Sequence, residues 1–238
     1  MKINLTGKIL LSILFIALIV GIILIATIGR GRRGDNIVQN APGLVGKFIY
    51  ESGSGVSADY EKDIQAALTT WDNIINDNVK INVSFYSYSS NDDTLAFAFM
   101  NDENDIYGGG VVYINTYNKA ETSMKNIIEH EIGHVLGIGT SKKWDSANNS
   151  TVLDKNIFPE AYSFYKTWSE SNGNDVNTNG IPLGSKGYHW SEEIFDIELM
   201  TPYSEKKGVE LPISGLTLSS LKDLGWNVDL SKAEPLIL

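Results

Sequence analysis

His130-Glu131-Ile132-Gly133-His134, with His189 far downstream, places all three histidines of this chain around one acidic residue. Imidazole is a good zinc ligand, and histidines four apart on a helix present both rings on one face, close enough to share an ion. Three protein ligands leave a fourth position open for water, whereas a structural zinc site is normally closed by four. The chain has no cysteine that would close it. Such a set points to metal-assisted hydrolysis. Glu131, beside the first ligand, is expected to act as general base rather than ligand, taking a proton from the attacking water and passing it to a leaving amine.

The histidine pair requires a helix, and the sequence supplies one. Thr122 or Ser123 is placed to cap it, and Met124, Ile127, Ile128, Ile132, Val135 and Leu136 give it an apolar stripe. Gly137 suits the left-handed stop that ends it. Because a five-residue pattern of this kind also arises by chance on amphipathic helices, the residues downstream decide how much it means.

Gly137, three residues after His134, extends the motif to a form that resembles the signature of metzincin peptidases. In the common metzincin pattern a third histidine falls three residues beyond that glycine. Here the position is Thr140, and threonine is a poor zinc ligand. With His189 as the remaining histidine, the chain resembles the leishmanolysin-type metzincins, in which a long insertion precedes the third histidine and a Met-turn follows. The likeness extends to Ala66-Ala67-Leu68-Thr69-Thr70-Trp71, to residues 189–195, to Glu198-Leu199-Met200-Thr201-Pro202, and to residues 213–218 leading into Asp223-Leu224-Gly225-Trp226. It covers most of residues 45–230.

The resemblance implies one catalytic zinc held by His130, His134 and His189, with Met200 in a tight turn making an apolar floor beneath it. By the same analogy Thr201, Pro202 and Tyr203 line a specificity pocket. Leu95-Ala96-Phe97-Ala98-Phe99, followed by Gly108-Gly109-Gly110, resembles the metzincin edge strand, whose free backbone groups would hold an extended peptide substrate. Taken without the resemblance, Met200 is a core methionine and residues 95–98 belong to an ordinary edge strand. Glu160, Glu192 and Glu193 are then alternatives to His189 as third ligand.

Length accommodates a single catalytic domain over residues 45–238. Before it lie a short flank (1–8), an apolar uncharged stretch (9–29) of the length that crosses a bilayer, and a basic linker (30–44). The stretch is longer than a typical signal-peptide core and its small-residue cleavage pattern is weak, so it reads as an uncleaved single-pass anchor. Lys2 and Lys8 on one side nearly balance Arg30, Arg32 and Arg33 on the other, so charge does not orient it. An extracytoplasmic catalytic domain is implied by the resemblance alone.

Beyond Arg33 the chain holds 14 basic and 29 acidic residues, a formal charge of about −15, which excludes nucleic acid as a natural partner. Membrane attachment would depend on the apolar helix rather than on a basic patch. Nothing in the sequence fixes an oligomeric state. Without cysteine, latency by a thiolate on the metal cannot operate in cis.

Apolar periodicity predicts a strand at 46–52, a helix near 57–76 capped by Ser57, a half-buried strand through Ile81, Val83 and Phe85, and a strand at 111–115. Residues 141–188, rich in Asn, Ser and Gly, are expected to be largely irregular apart from an amphipathic stretch at 159–168. Tyr162, Phe164, Tyr165 and Trp168 are expected to form a small core there, and Thr217 to cap a last helix that stops at Gly225. The expected fold class is α+β: a metzincin-like domain with a twisted mixed sheet, an active-site helix and an irregular lower subdomain. The expected function is a membrane-anchored zinc metalloendopeptidase. The alternative is a binding or adhesion module that has kept the fold without hydrolysing peptides.

Overall fold

Alternating apolar and polar residues make Ile81, Val83 and Phe85 one buried face of strand β3 (Ile81–Tyr88). The computed structural model describes residues 42–236 apart from 54, 118–122, 185 and 207. The expected flank, anchor and most of the linker lie outside the described residues. Among those described, no helix is long and apolar enough to cross a membrane.

The fold is α+β with a mixed sheet. The strand expected at 46–52 is β2 (Phe48–Ser52), and it is preceded by an antiparallel partner, β1 (Gly43–Val45), with the turn at Gly46. Gly46 has φ +53°, and a β-carbon there would collide with the Asp72 carboxylate, which accepts the Lys47 N–H at 2.7 Å. Helix α1 (Ala58–Ile74) starts as predicted, with Ser57 accepting the Tyr60 N–H. Ile64, Ala67, Leu68, Trp71 and Ile74 form its buried stripe.

The remaining strands of the sheet are β4 (Ala96–Met100) and β5 (Gly110–Asn115), giving the order β1-β2-β3-β5-β4. The inner three strands run parallel, and β1 and β4 run antiparallel at the two edges. Phe48, Ile81, Val83, Phe85, Val112 and Ile114 make the core face, which packs on α1 and on helix α2 (Met124–Val135). The opposite face carries a ladder of rings, Tyr86 on Tyr113 and Tyr113 on Phe97, at 5.6 and 5.0 Å.

The region expected to be irregular is more ordered than its composition implies. It holds α3 (Lys142–Ala147), β6 (Val152–Asp154) paired antiparallel with β7 (Gly180–Pro182), and α4 (Pro159–Ser171), which runs beyond its predicted end. Its polar residues make turns between short elements: Ser141 caps α3, Asn149 accepts the Thr151 and Val152 N–H groups, and Asp154 accepts that of Asn156. Tyr165 and Trp168 are buried there with Phe158 and Phe195, while Tyr162 and Phe164 pack at the margin.

After a short helix α5 (Glu192–Phe195), α6 (Gly215–Leu224) ends at Gly225 with φ +120°, as expected. Its cap is Ser214 rather than Thr217, which lies buried inside the first turn. Asp223 on α6 in turn accepts the Glu160 and Ala161 N–H groups at the start of α4, locking the two helices together.

The outer edge of β4 is open among the described residues. Asn115 N–H donates to the Leu95 carbonyl and Asn101 N–H to that of Gly109, both at 2.9 Å. With Ala96 opposite Ile114, the alternation turns the backbone groups of Leu95, Phe97 and Phe99 toward β5 and those of Ala96, Ala98 and Met100 outward. Proline substitution reads this directly. Phe97→Pro removes an inward N–H and should cost about 1–3 kcal/mol, whereas Ala96→Pro should change the thermal midpoint little. Equal losses in thermal melts would show that the register is wrong.

Candidate metal centre

Helix α2 carries His130 and His134 one turn apart, and its end is built from several directions. Ser123 occupies the cap position without a side-chain bond, and Thr122 lies outside the described residues. Gly137 takes φ +106° as the predicted stop. Trp226 Nε1–H donates to the Leu136 carbonyl at 2.8 Å, and the Thr140 hydroxyl donates to the His134 carbonyl. Thr140, where the common metzincin pattern has histidine, therefore serves as a C-terminal cap.

The two rings are oriented by carbonyl oxygens. His130 Nδ1–H donates to Leu199 at 2.6 Å and His134 Nδ1–H to Ile138 at 2.7 Å. Those bonds place the ring proton on Nδ1 and leave Nε2 a lone pair. His189 completes the set: the three Nε2 atoms form a triangle with sides of 3.0, 3.1 and 3.1 Å. Burial and the neighbouring imidazole charge take His130 down to about 3. Burial likewise lowers His134 and takes His189 well down, so all three are neutral near pH 7, the form that binds metal.

The segment bearing His189 reaches α2 because backbone can approach backbone. A β-carbon on Gly139, which has φ +74°, would lie 2.2 Å from the Tyr188 carbonyl oxygen. Trp144 Nε1–H and Asn148 Nδ2–H both grip the Gly187 carbonyl at 2.9 Å, and Gly184 N–H bonds the His189 carbonyl at 2.9 Å. The alternative carboxylate ligands are elsewhere. Glu160 pairs with Lys222 at 3.1 Å, Glu192 gathers with Asp196 and Glu205, and Glu193 is exposed.

Met200 is fully buried, and its sulfur lies against Gly133, between the two helix histidines; a β-carbon on Gly133 would be 2.5 Å from Sδ. Gly133 and Gly139 are functional positions that residue type and spacing alone do not mark as ligands or caps. A glycine inside a helical apolar stripe is the signal for the first, since it costs helix stability without a packing reason. Glu131 is buried, and its Oε2 has no hydrogen-bond partner among the described residues. Burial raises its carboxyl to about 8. A cation held by the imidazoles would counter that rise.

Of the residues assigned to substrate, Leu95, Ala96 and Phe97 are half-buried on the open edge, with Ala98 more enclosed. Thr201 is buried, and its hydroxyl donates to the Asp196 and Glu198 carbonyls inside the turn, so its side chain has no surface to offer a substrate. Pro202 is half-buried and Tyr203 is 66 % exposed.

The three imidazoles could hold one metal ion, and their spacing is close to that of tetrahedral zinc ligands. Tetrahedral ligands at the usual Zn–N distance stand about 3.3 Å apart, and the Nε2 atoms here are 3.0–3.1 Å apart. The Nδ1–H groups of His130 and His134 are held by carbonyls, as metal-ligating imidazoles usually are, and Glu131 follows His130 on the same helix. No family model and no curated protein matches this sequence.

Alanine in a helix interior is usually about 1 kcal/mol better than glycine, but Gly133→Ala should instead destabilise by about 1–3 kcal/mol through overpacking against Met200. Adding Met200→Ala should relieve the clash. Denaturant titration of the single and double variants checks both signs, and a stabilised Gly133→Ala would remove Met200 from this position.

Proposed function

We propose that this chain is a membrane-anchored zinc metalloendopeptidase of the leishmanolysin-type metzincin group. The observation that carries the reading is the convergence of three imidazole Nε2 atoms, two of them on the helix that also bears the buried Glu131 with an unpartnered oxygen. Zinc, when bound, supplies Lewis acidity toward water and toward the scissile carbonyl. His130, His134 and His189 would hold it, and Met200 would form the apolar floor.

Glu131 does the proton work. It accepts a proton from the attacking water as the carbonyl carbon becomes tetrahedral, then delivers it to the departing amine. Substrate is held as an added strand: the outward N–H and C=O groups of Ala96, Ala98 and Met100 pair with an extended peptide whatever its side chains. Half-buried Pro202 and exposed Tyr203 are the groups available beyond the turn for side-chain selection. The acidic surface outside the basic amino-terminal region argues against nucleic acid. Anchoring through residues 9–29, with the domain on the extracytoplasmic side, rests on the apolar sequence and the family resemblance.

A binding module with an inherited fold would have no use for a buried carboxylate beside the imidazoles, and this favours hydrolysis over that reading. The full chain in detergent should bind one zinc and cleave a quenched peptide library, with cleavage abolished by a chelator and restored by zinc. Glu131→Gln should retain zinc and lose at least about 100-fold in turnover, whereas His134→Ala should lose both. Full turnover by Glu131→Gln would end the mechanism, and zinc binding without cleavage in the wild-type chain would favour the binding module.

A further inference from the structure

Glu198 is fully buried at the start of the turn that carries Met200, and nothing in the proposed chemistry uses it. Its Oε2 accepts the Met200 N–H at 2.6 Å. Its Oε1 accepts the Thr217 hydroxyl at 2.6 Å, the Ser214 hydroxyl at 2.7 Å and the Ser214 N–H at 3.3 Å. The hydroxyl protons can be traced. Thr217 Oγ1 accepts Trp190 Nε1–H at 2.9 Å, and Ser214 Oγ accepts the Leu216 N–H at 3.2 Å as the cap of α6. Each oxygen thus has its own hydrogen free for Glu198. Every neighbour donates, so the surroundings are built for a carboxylate and would leave a donor opposed by an amide or a protonated acid. Burial holds the carboxyl above its usual range, and these four donors offset only part of that rise.

The same carboxylate reaches two of the three imidazoles. The residue after it, Leu199, supplies the carbonyl that takes His130 Nδ1–H. The residue after His189, Trp190, is held at its indole by Thr217 and at its backbone by the Met200 carbonyl, 3.0 Å from Trp190 N. His134 is fixed separately, by Ile138. Resting on the zinc-site reading above, we propose that Glu198 is a positioning residue: an ionised anchor that sets the His130 ring through Leu199 and the His189 segment through Thr217 and Trp190, while leaving His134 alone.

With only three histidines in the chain, the histidine spectrum is the spectrum of the site. The full chain, labelled with nitrogen-15 histidine in detergent, reports ring tautomers by long-range proton–nitrogen correlation. Zinc affinity follows from competition with a chromophoric chelator, and the cobalt-substituted visible spectrum reports ligand geometry. Glu198→Gln and Thr217→Val should each move the His130 or His189 resonances but not those of His134. Each should alter the cobalt spectrum and weaken zinc by about 10–100-fold. Thr217→Ser, which keeps the hydroxyl, should behave as wild type. Glu61→Gln removes a carboxylate bonded to Tyr50 and Ser52 and should leave all three readouts unchanged.

Wild-type histidine signals, zinc affinity and cobalt spectrum in folded Glu198→Gln would overturn the proposal. So would identical behaviour of Thr217→Val and Thr217→Ser, the pair that decides the matter if Glu198→Gln fails to fold. A wild-type chain that binds no zinc would defeat the proposed function instead, and the metal-free histidine signals would still show whether Glu198 sets His130.

Discussion

Three unprotonated imidazole nitrogens within 3.1 Å of one another repel, and the rest of this fold is arranged to hold them there. Each ring must be neutral and each lone pair aimed at a common point, which requires the proton to be placed on the other nitrogen. Carbonyl oxygens of Leu199 and Ile138 do this for His130 and His134. Neither carbonyl is free to act unless its own segment is fixed. Ile138 is fixed by the turn after α2, where Ile138 N–H returns to the Gly133 carbonyl. Leu199 is fixed by its N–H bond to Pro212 and by the carboxylate just before it. A shared cation would convert the mutual repulsion into coordination.

The helix, its glycine stop and the identity of the third imidazole were legible because each depends on residue type at a fixed spacing. Histidines four apart declare a face, and with three histidines in the chain the other candidates for the third position were the carboxylates Glu160, Glu192 and Glu193. The alternation in β3 and the apolar stripe of α1 were legible for the same reason, since local periodicity reports burial. The resemblance pointed to Met200 and to residues 95–98; in the structure Met200 packs against Gly133 of α2 and β4 lies at the sheet margin.

What stayed hidden depends on contacts between distant segments. The start of α4 has no cap of its own, because the acceptor is Asp223 some sixty residues later. Thr217 looked like a cap because a threonine precedes an apolar run, but a buried carboxylate claims its hydroxyl and Ser214 takes the cap. Polar residues between 141 and 188 read as loop, yet asparagine and aspartate side chains there satisfy the backbone of tight turns and so permit short elements. Thr201 was assigned to substrate by analogy, and the turn uses it inwardly. The glycines at 133 and 139 carry no side chain to read; their meaning lies in the Met200 sulfur and Tyr188 backbone that occupy the space.

Recruiting the third imidazole from so far along the chain is less expensive than the separation suggests. His189 lies 55 residues after His134, whereas Thr140, the nearer alternative, lies 6 after it. Loop-closure entropy grows only with the logarithm of length, so the longer route adds about 2 kcal/mol for a flexible chain. The insertion here is not flexible chain. Trp144, Phe158, Tyr165, Trp168 and Phe195 give it a core, Asp223 ties its long helix to α6, and Trp144 holds the Gly187 carbonyl two residues before His189. Its ordering is therefore supported by its own burial rather than by the histidine cluster. The histidine can then be delivered by a preformed arm, and Thr140 is released to close the end of the helix that bears the other two.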